Sequence, residues 1–338
     1  MVAVTVPGTA IGVEFADPGL ESAVQTTLAV VEERLRGAVT SGDPLVAEAA
    51  RHLVDAGGKR FRPLLTAIAA EFGAGGVADV VLSATVVELT HLATLYHDDV
   101  MDEAQVRRGA PSANARWGNS VAILVGDFLF ARAADLAAAL GTEAVRIQAR
   151  TFSRLVHGQI AETVGPRASD PVEHYLSVIA EKTGSLIATS ARFGAMFARV
   201  PADGIEALAR YGETMGIAFQ LSDDLLDIAS ESLQSGKTPG TDLREGVPTL
   251  PVLYALAGDE SDAASVRLRE IVSAGPVTDD TLHAEALGLL RESAALKRAR
   301  ETVRAYAEQA RAELAPLPAV PARRALESLC DFIADRTN

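Results

Sequence analysis

The sequence is poor in cysteine, in aromatic residues and in positive charge. Its one cysteine, Cys330, excludes an intrachain disulfide and favours a reducing compartment, so we expect a cytoplasmic protein. Aromatic residues make up only 5% of the chain, too few for the stacking surfaces that bind single-stranded nucleic acid. The formal net charge of −14 also argues against a nucleic-acid partner, because phosphate backbones bind to basic surfaces.

Long uncharged apolar runs are missing as well. The longest apolar segment, residues 121–140, is interrupted by Asp127, Arg132 and Asp135 and is too charged for a membrane span. Residues 1–13 lack the basic start of a signal peptide. No Walker-type phosphate loop and no Ser/His/Asp or Cys/His arrangement for nucleophilic catalysis stands out. We therefore expect no transmembrane segment, and other residue types must carry the chemistry.

Aspartate-proline pairs mark several helix starts. Asp17-Pro18, Asp43-Pro44 and Asp170-Pro171 each combine a favourable N-cap with a proline at the first helical position. The helix after Asp170 is expected to continue to residues 193–200. Pro201 is expected to begin the next long helix.

The pattern between these starts indicates helices throughout. Two-residue alternation flanked by hairpin turns is missing, and so is any βαβ rhythm. We predict an all-α fold in which some central helices are apolar on nearly all sides and are enclosed by others. Residues 1–17 are predicted to form an irregular arm, and residues 18–338 a single domain with its ligand site between facing helices.

The most informative stretch is an aspartate cluster, Asp98-Asp99-x-x-Asp102, which follows an apolar run over residues 83–95. On a helix, Asp98 and Asp102 share one face with Cβ atoms roughly 5–6 Å apart. At an effective dielectric near 20, two charges ~4 Å apart repel by on the order of 4 kcal/mol. Such a pair on an apolar helix therefore needs a proton, a basic residue or a cation to offset the repulsion.

The same spacing recurs as Asp223-Asp224-x-x-Asp227, again within an apolar helical run. By contrast, Asp279-Asp280 lies at a predicted helix start, where carboxylates favour the positive end of the helix dipole and need no function. Two identical clusters favour a hard cation such as Mg²⁺ or Mn²⁺. Because Mg²⁺ is usually bound by few carboxylates plus substrate phosphates, the pair predicts a diphosphate held between the clusters through metal ions.

Basic residues near these clusters could supply a second anion site. Lys59 and Arg62 lie in a glycine-led loop that enters a helix, a favourable place for an anion, although in isolation ordinary surface charge would be the more common explanation. Arg107 and Arg108 follow the first cluster. His91 lies two turns before Asp98 on the same face, where a histidine of the core is the more common finding.

Four further residues could complete the site. Lys182, Thr183 and Lys237 lie close to apolar segments, and Lys237 belongs to a Gly/Pro-rich loop that is either a lid or a simple connection. Gln220 precedes Asp223 by three residues and shares its face. One metal-bound and one basic anion site would accommodate two diphosphate substrates.

Six motifs, in this order along the chain, resemble those of the trans-isoprenyl diphosphate synthase family, and the resemblance extends over about residues 45–255. They are residues 57–63 (GGKRFRP), 97–102 (HDDVMD), 107–109 (RRG), 182–184 (KTG), 219–227 (FQLSDDLLD) and 236–251. The resemblance implies an all-α, isoprenoid synthase-type helical bundle around a central active-site cavity, usually as a homodimer. It also implies elongation of an allylic diphosphate by isopentenyl diphosphate.

The resemblance further implies roles for individual residues. Asp98, Asp102 and Asp223 are expected to coordinate about three Mg²⁺ ions that hold the allylic diphosphate, supported by Asp99, Asp224 and Asp227. The allylic diphosphate is also expected to contact Arg107, Lys182 and Lys237. The expected contacts of isopentenyl diphosphate are Lys59, Arg62, His91 and Arg108. Thr183 and Gln220 are expected to face the allylic cation. The family often has a second lysine in the loop, where Val247 stands here, so one lysine contact fewer is expected.

The resemblance also bears on product length, which the cavity beneath the first cluster sets in this family. A large aromatic residue near the fifth position before that cluster closes the cavity in members that make short products. This position is Ala93 here. Ala93 and the adjacent Thr94 are expected to set how far the product can grow, and Phe130 or Phe128 on the next helix could form the floor. We therefore expect a long product, about C30 to C50, of the kind used in menaquinone or ubiquinone side chains.

Other interpretations remain open at this point. A geranylgeranyl-length (C20) synthase would share all of these motifs. A terpene cyclase shares the first cluster, but its second metal motif is normally of the Asn/Ser/Glu type. A regulatory subunit of a two-component synthase tends to lack both clusters. A helical Mg²⁺-binding scaffold without activity is the simplest non-enzyme alternative.

Overall fold

The computed structural model describes residues 13–229, 239–258 and 261–336, and nearly all regular structure in these ranges is helical. The first helices are α1 (Pro18–Ala38), α2 (Pro44–Asp55), α3 (Phe61–Ala70), α4 (Val77–Met101), α5 (Ala113–Trp117), α6 (Asn119–Ala139), α7 (Thr142–Val164) and α8 (Pro171–Ile179). The later helices are α9 (Ser185–Phe197), α10 (Ala202–Ala229), α11 (Thr241–Glu245), α12 (Leu250–Ala257), α13 (Ala263–Ser273), α14 (Asp280–Glu292), α15 (Ala294–Glu313) and α16 (Pro321–Asp335). The all-α prediction is confirmed.

The predicted helix starts are also confirmed. Asp17, Asp43 and Asp170 each accept hydrogen bonds from backbone N–H groups of the first turn, and proline follows each of them. Asp279 caps α14 in the same way through the N–H groups of Thr281 and Leu282. A carboxylate at this end of a helix is favourable without any ligand, so Asp279 needs no functional explanation.

Two local features differ from the prediction. The helix that starts after Asp170 does not run unbroken to residues 193–200, because a π-helical turn, Ala180–Gly184, separates α8 from α9. The polar connection after the first cluster forms a short antiparallel hairpin of β1 (Val106–Arg107) and β2 (Ala110–Pro111). Both features involve residues that the sequence analysis assigned to the substrate sites, and π-helical turns are often found at such sites.

The chain divides into two compact units. Unit 1 comprises Met1–Leu155, Ser185–Gly212 and Glu313–Leu329, and unit 2 comprises Val156–Gly184, Glu213–Ala312 and Cys330–Asn338. The organisation of residues 18–338 as a single domain stays a prediction.

Unit 1 is built around α4. This helix packs against α1, α3, α6 and α9, and most of its side chains from Val80 to Tyr96 are buried. Its length and composition would allow it to cross a membrane, but the surrounding helices cover it, as expected for the core helix of a globular domain. The prediction of a central helix that is apolar on nearly all sides is confirmed.

The contact between α3 and α9 depends on a glycine. A Cβ atom at Gly194 would lie 2.1 Å from the carbonyl oxygen of Thr66, which no side chain could tolerate. The hydroxyl of Thr66 in turn donates to the carbonyl of Ser190 at 3.0 Å. The two backbones therefore meet directly in the middle of α3.

Unit 2 contains the second half of α10 together with the helices from α11 to α15. Within it, α12 packs against α8 and α13, and α13 packs against α14. The buried imidazole of His283 lies 2.8 Å from the carbonyl oxygen of Gly240, which connects α14 to the segment that leads into α11. This contact holds Gly240, at the start of α11, against α14.

Candidate active site

The first aspartate cluster lies at the end of α4 rather than inside it. The helix ends at Met101, and Asp102 is the C-cap residue, whose N–H donates to the carbonyl of Asp98 at 2.8 Å. Asp98 is half-buried, Asp99 is buried and Asp102 is exposed. The negative end of the helix dipole disfavours carboxylates. Their position therefore strengthens the inference that a cation offsets their charge.

Asp99 is directed into the protein. Its Oδ1 accepts a hydrogen bond from Nε of Arg107 at 2.6 Å, and the β1–β2 hairpin holds this arginine in place. Its Oδ2 is buried and has no hydrogen-bond partner among the described residues. Burial raises the pKa of Asp99, although Arg107 opposes the shift. Asp99 therefore supports the cluster from inside, while Asp98 and Asp102 are the carboxylates accessible to a ligand.

Basic side chains gather around a buried glutamate of α4. Glu88 accepts a hydrogen bond from Arg60 at 3.1 Å and lies 3.9 Å from Nη2 of Arg108. Arg60 is the residue before α3 and has a left-handed backbone with φ 48°. It also pairs with Glu32. Burial lowers the pKa of Arg60, but the two glutamates more than offset this, so the net pKa is raised.

Arg108 is held against the loop that leads into α3. Its Nη1 donates to the carbonyl oxygens of Leu53, at 2.9 Å, and of Gly57. A Cβ atom at Gly58 would lie 2.8 Å from Cζ of Arg108, and Gly58 has φ +144°. Gly58 of the GGKRFRP motif thus lets this guanidinium lie directly on the backbone.

Arg62 and His91 complete the basic cluster. Burial lowers the pKa of Arg62 to about 10, and its Nε has no hydrogen-bond partner among the described residues. Burial holds the pKa of His91 well below its usual range, and the charges of Arg62 and Arg108 add to this effect. His91 is therefore neutral at pH 7 and would contact an anion as a hydrogen-bond donor. Lys59 is exposed on the same loop.

The residues expected to limit product length all lie in unit 1. Ala93 has no exposed surface and belongs to the main apolar cluster together with Leu89 and Tyr96. The hydroxyl of Thr94 donates to the carbonyl of His91 at 2.8 Å. Phe130 packs on Phe152, with ring centroids 4.4 Å apart. The guanidinium of Arg132 lies over Phe128, 5.2 Å from the ring centroid.

The second aspartate cluster lies in the last two turns of α10, within unit 2. Asp224 is buried, accepts a hydrogen bond from the hydroxyl of Tyr175 and accepts another from Nε2 of Gln220 at 2.9 Å. Burial raises the pKa of Asp224 to about 6, and these two donors oppose the shift. The pKa of Tyr175 is raised well above its usual range by burial and by the charge of Asp224.

The outer members of this cluster have other partners. Arg336 donates to Oδ1 of Asp223 at 2.8 Å. The backbone N–H of Asp242 donates to Oδ2 of Asp227 at 3.2 Å, and the N–H of Gly240 donates to the carbonyl of Asp227 at 2.8 Å. The segment that enters α11 is therefore bound to the end of α10.

Lys182 and Thr183 lie in the π-helical turn. The ammonium of Lys182 pairs with Glu162, and the hydroxyl of Thr183 donates to Oε1 of Gln220 at 3.3 Å. The structure thus brings Thr183, Gln220 and Asp224 into one hydrogen-bonded chain. Lys237, the remaining predicted diphosphate contact, lies outside the described residues.

Four polar residues of this region were missed by the sequence analysis: Arg60, Glu88, Tyr175 and Arg336. Glu88 is a charged residue in an otherwise apolar helix, which is a signal that could have been used. Tyr175 and Arg336 contact residues 49 and 113 positions away along the chain. No local pattern reveals such pairs.

The side chains present fit a metal ion that arrives with its substrate. Among the described ranges, 13–229, 239–258 and 261–336, no group of three or more acidic, histidine or cysteine side chains could hold a metal ion by itself. Mg²⁺ is commonly bound by one or two carboxylates together with substrate phosphates and water. A donor set of carboxylate oxygens suits a hard cation of this kind and not Zn²⁺, which prefers nitrogen and sulfur ligands.

Comparison with known proteins agrees with this chemistry. The family model described as polyprenyl synthetase matches residues 43–289. The chain is 52% identical to the nonaprenyl diphosphate synthase and 43% identical to the dimethylallyltranstransferase of Mycobacterium tuberculosis. These alignments cover 96% and 94% of this chain and 97% of each relative.

A solved structure shows the same similarity. The geranylgeranyl pyrophosphate synthase of Corynebacterium glutamicum, in a complex with calcium and isoprenyl diphosphate, superimposes with a TM-score of 0.87 at 48% identity. The match covers 96% of this chain and 99% of that one. The resemblance found in the sequence is confirmed, and the chain belongs to the polyprenyl synthetase family.

Proposed function

We propose that this protein is a Mg²⁺-dependent trans-prenyltransferase that condenses isopentenyl diphosphate with an allylic diphosphate, farnesyl or geranylgeranyl, to give a long all-trans polyprenyl diphosphate. Family membership supports the reaction class. The observation that carries the proposal is the position of both aspartate clusters. Each lies at the negative end of an apolar helix, where carboxylates are unfavourable unless a cation binds them.

Asp98, Asp102 and Asp223 are the proposed metal ligands, with Asp99, Asp224 and Asp227 in support. The accessibility of Asp98 and Asp102 supports this assignment, and the calcium in the related Corynebacterium structure supports a divalent cation as their partner. We propose about three Mg²⁺ ions, which would stabilise the negative charge that builds up on the departing diphosphate.

The basic residues divide between the two substrates. Lys59, Arg62, His91 and Arg108 are the proposed contacts of isopentenyl diphosphate. Arg107, Lys182 and Lys237 are the proposed contacts of the allylic diphosphate. Arg107 pairs with Asp99 and Lys182 pairs with Glu162, and these ion pairs hold the two basic side chains in place.

The proposed chemistry uses few protein groups. Basic side chains hold the diphosphate as the allylic C–O bond breaks, and the electron pair leaves with the diphosphate. The double bond of isopentenyl diphosphate then attacks the allylic cation, which forms the new C–C bond. Thr183 and Gln220 would present oxygen atoms to the cation. Proton loss to the released diphosphate restores a double bond, and apolar helix walls exclude water that would quench the cation.

Product analysis tests the proposed length. The enzyme, purified alone, would be given farnesyl diphosphate and excess isopentenyl diphosphate, and the products separated by chromatography. We expect linear diphosphates of about C30 to C50, because Ala93 leaves no aromatic barrier before the first cluster. Products that stop at C20, as the name of the Corynebacterium relative suggests, would support the C20 alternative. Cyclic hydrocarbons would indicate a terpene cyclase, and inactivity without a second protein would indicate a two-component synthase.

Ala93 itself can be tested. Ala93→Tyr should shorten the product, because the aromatic side chain would occupy the proposed path of the growing chain. Ala93 is fully buried, so overpacking should also cost about 1–3 kcal/mol of stability. Thr94→Val, which keeps the volume of its side chain, is the matched control and should leave product length unchanged. An unaltered product from a folded Ala93→Tyr enzyme would remove Ala93 from the explanation.

Three further assignments belong to the proposal. A homodimer is supported by exposed apolar side chains on α6 and on the first half of α7, and sedimentation would test it. These side chains are Ile123, Leu124, Val145 and Phe152. A cytoplasmic location is supported by the single buried cysteine. A long product would suit a quinone side chain such as that of menaquinone.

A further inference from the structure

An arginine at the end of the last described helix contacts the second aspartate cluster. Nη2 of Arg336 donates to Oδ1 of Asp223 at 2.8 Å and to the carbonyl of Phe219 at 3.1 Å, and Nε donates to Oγ of Ser222 at 2.6 Å. The guanidinium therefore contacts one turn of α10 at three points. All of these residues belong to unit 2.

This arginine is not an ordinary surface cation. Its side chain is only 11% exposed. The guanidinium lies 4.8 Å from the ring centroid of Phe219 and 5.5 Å from that of Phe332. Burial lowers the pKa of Arg336 and Asp223 opposes this, so the group stays charged at neutral pH. A charged group buried in this way costs free energy unless its partners are fixed.

Two kinds of role are possible for a cation bonded to a metal-binding carboxylate. It could compete with the metal ion for Asp223 and leave when the metal binds. Alternatively, it could remain and orient the carboxylate. Ser222, the carbonyl of Phe219 and the two aromatic rings hold Arg336 independently of Asp223. A carboxylate also has two oxygen atoms, so it can accept from an arginine and bind a metal together.

We propose that Arg336 is a positioning residue for the metal site: it fixes the orientation of Asp223 and offsets part of the charge of the second cluster. The inference rests on the proposed role of Asp223 as a metal ligand. It makes the end of α16 a part of the metal site, although it contains no metal ligand. It also predicts that a planar guanidinium group with several N–H donors is needed at this position, and that a positive charge alone is not enough.

The test measures metal affinity directly. Mn²⁺ would be titrated calorimetrically into the full-length protein in the presence of inorganic diphosphate, without prenyl substrates. Arg336→Gln should weaken Mn²⁺ binding about 10- to 100-fold, the usual effect of removing a partner of a metal ligand. Arg336→Lys should retain only part of the wild-type Mn²⁺ affinity, because one ammonium group cannot donate to Ser222 and Asp223 together as the guanidinium does. Ser222→Ala, a milder change that leaves the ion pair, should weaken binding by a smaller factor.

Arg311 provides the matched control. It lies on α15 and pairs with Asp331 on α16, within unit 2, and not with a carboxylate of the second aspartate cluster among the described residues. Arg311→Gln should therefore leave Mn²⁺ affinity unchanged, whatever it does to the melting temperature. Equal Mn²⁺ affinity in Arg336→Gln and Arg311→Gln would show a purely structural role and overturn the proposal.

Tighter Mn²⁺ binding in Arg336→Gln would identify the arginine as a competitor of the metal, which also overturns the proposal. If Arg336→Gln failed to fold, an unchanged Mn²⁺ affinity in Ser222→Ala would contradict the positioning role of Arg336. Asp223→Asn separates the two levels of inference. Undiminished Mn²⁺ binding by Asp223→Asn would refute Asp223 as a ligand. If Asp223→Asn lost Mn²⁺ affinity and Arg336→Gln kept it, only the positioning role of Arg336 would be refuted.

Discussion

The two aspartate clusters have the same spacing but are stabilised in different ways. In the first cluster, the middle carboxylate, Asp99, is buried against an arginine from the adjacent hairpin, and one of its oxygens has no hydrogen-bond partner among the described residues. In the second cluster, the middle carboxylate, Asp224, is held by the neutral donors Tyr175 and Gln220. The second cluster receives its arginine at an outer position, Asp223.

The difference shows what the motif does and does not specify. In both clusters, the helix turns the middle aspartate into the protein, and burial raises its pKa. The spacing therefore fixes which carboxylate is structural. The spacing does not determine the hydrogen-bond partner of that carboxylate. The partner comes from whichever chain segment packs against the helix.

The largest effect should come from the outer carboxylates. Asp98→Asn and Asp223→Asn should each lower kcat by about 10³-fold or more, because each removes a ligand that acts on the charge of the transition state. Steady-state assays with saturating Mg²⁺ would measure this. Asp279→Asn, which alters only a helix cap, is the control and should keep full activity. Near-normal turnover in either cluster variant would show that the two clusters are not equivalent.

Arg107→Gln should lower the stability of the protein, in addition to removing a proposed contact of the allylic diphosphate. It leaves Asp99 buried without its cation, and breaking a buried pair costs about 3–5 kcal/mol. Because Arg107 is partly exposed, we expect about 2–3 kcal/mol in urea denaturation at pH 7. The double variant with Asp99→Asn should recover much of this loss. No recovery would mean that Arg107 stabilises the hairpin and not the carboxylate.

Tyr175→Phe should have a smaller effect on the second cluster. It removes one of the two side-chain donors to Asp224, and a lost hydrogen bond to a buried charged group costs about 1.5–3 kcal/mol. Gln220 remains, so we expect the lower end of that range in urea denaturation. Tyr254→Phe is the control, because it removes a tyrosine hydroxyl that forms a hydrogen bond of 3.0 Å with the hydroxyl of Thr302. An equal loss in the two variants would argue against any special dependence of Asp224 on Tyr175.

The smallest effect concerns pH. The pKa of His91 is lowered in the folded protein, so the unfolded chain binds more protons below about pH 6.5 and the native state loses stability on acidification. Between pH 7.5 and pH 5.5, the wild type should lose about 1 kcal/mol more than His91→Asn does. Denaturation curves at the two pH values give the difference. An equal loss of unfolding free energy in the wild type and in His91→Asn would mean that the pKa of His91 is not lowered in the folded protein.

Local features of the fold were predictable from the sequence, because they rest on neighbouring residues. The caps at Asp17, Asp43 and Asp170 are examples, as is the enclosure of α4. The π-helical turn at Ala180–Gly184 was not predictable, since its sequence is compatible with an ordinary helix.

The candidate site was predictable where a motif repeats and unpredictable where partners are distant. The carboxylates Asp98 and Asp223 follow from spacing and apolar context. The pairing of Arg60 with Glu88 does not follow from the sequence, because the two residues are 28 positions apart and the sequence offers several other charged partners for each. Buried charge is decided by packing, which a single sequence does not reveal.

The glycine at position 58 has a consequence for mutational studies. Any side chain there would meet the guanidinium of Arg108, which is the flexible end of its side chain and would move first. The positive φ adds backbone strain to this displacement. Gly58→Ala should therefore resemble the loss of an arginine in a substrate-affinity assay, even though no charged residue has been altered. A screen that scores only charged positions would miss this residue.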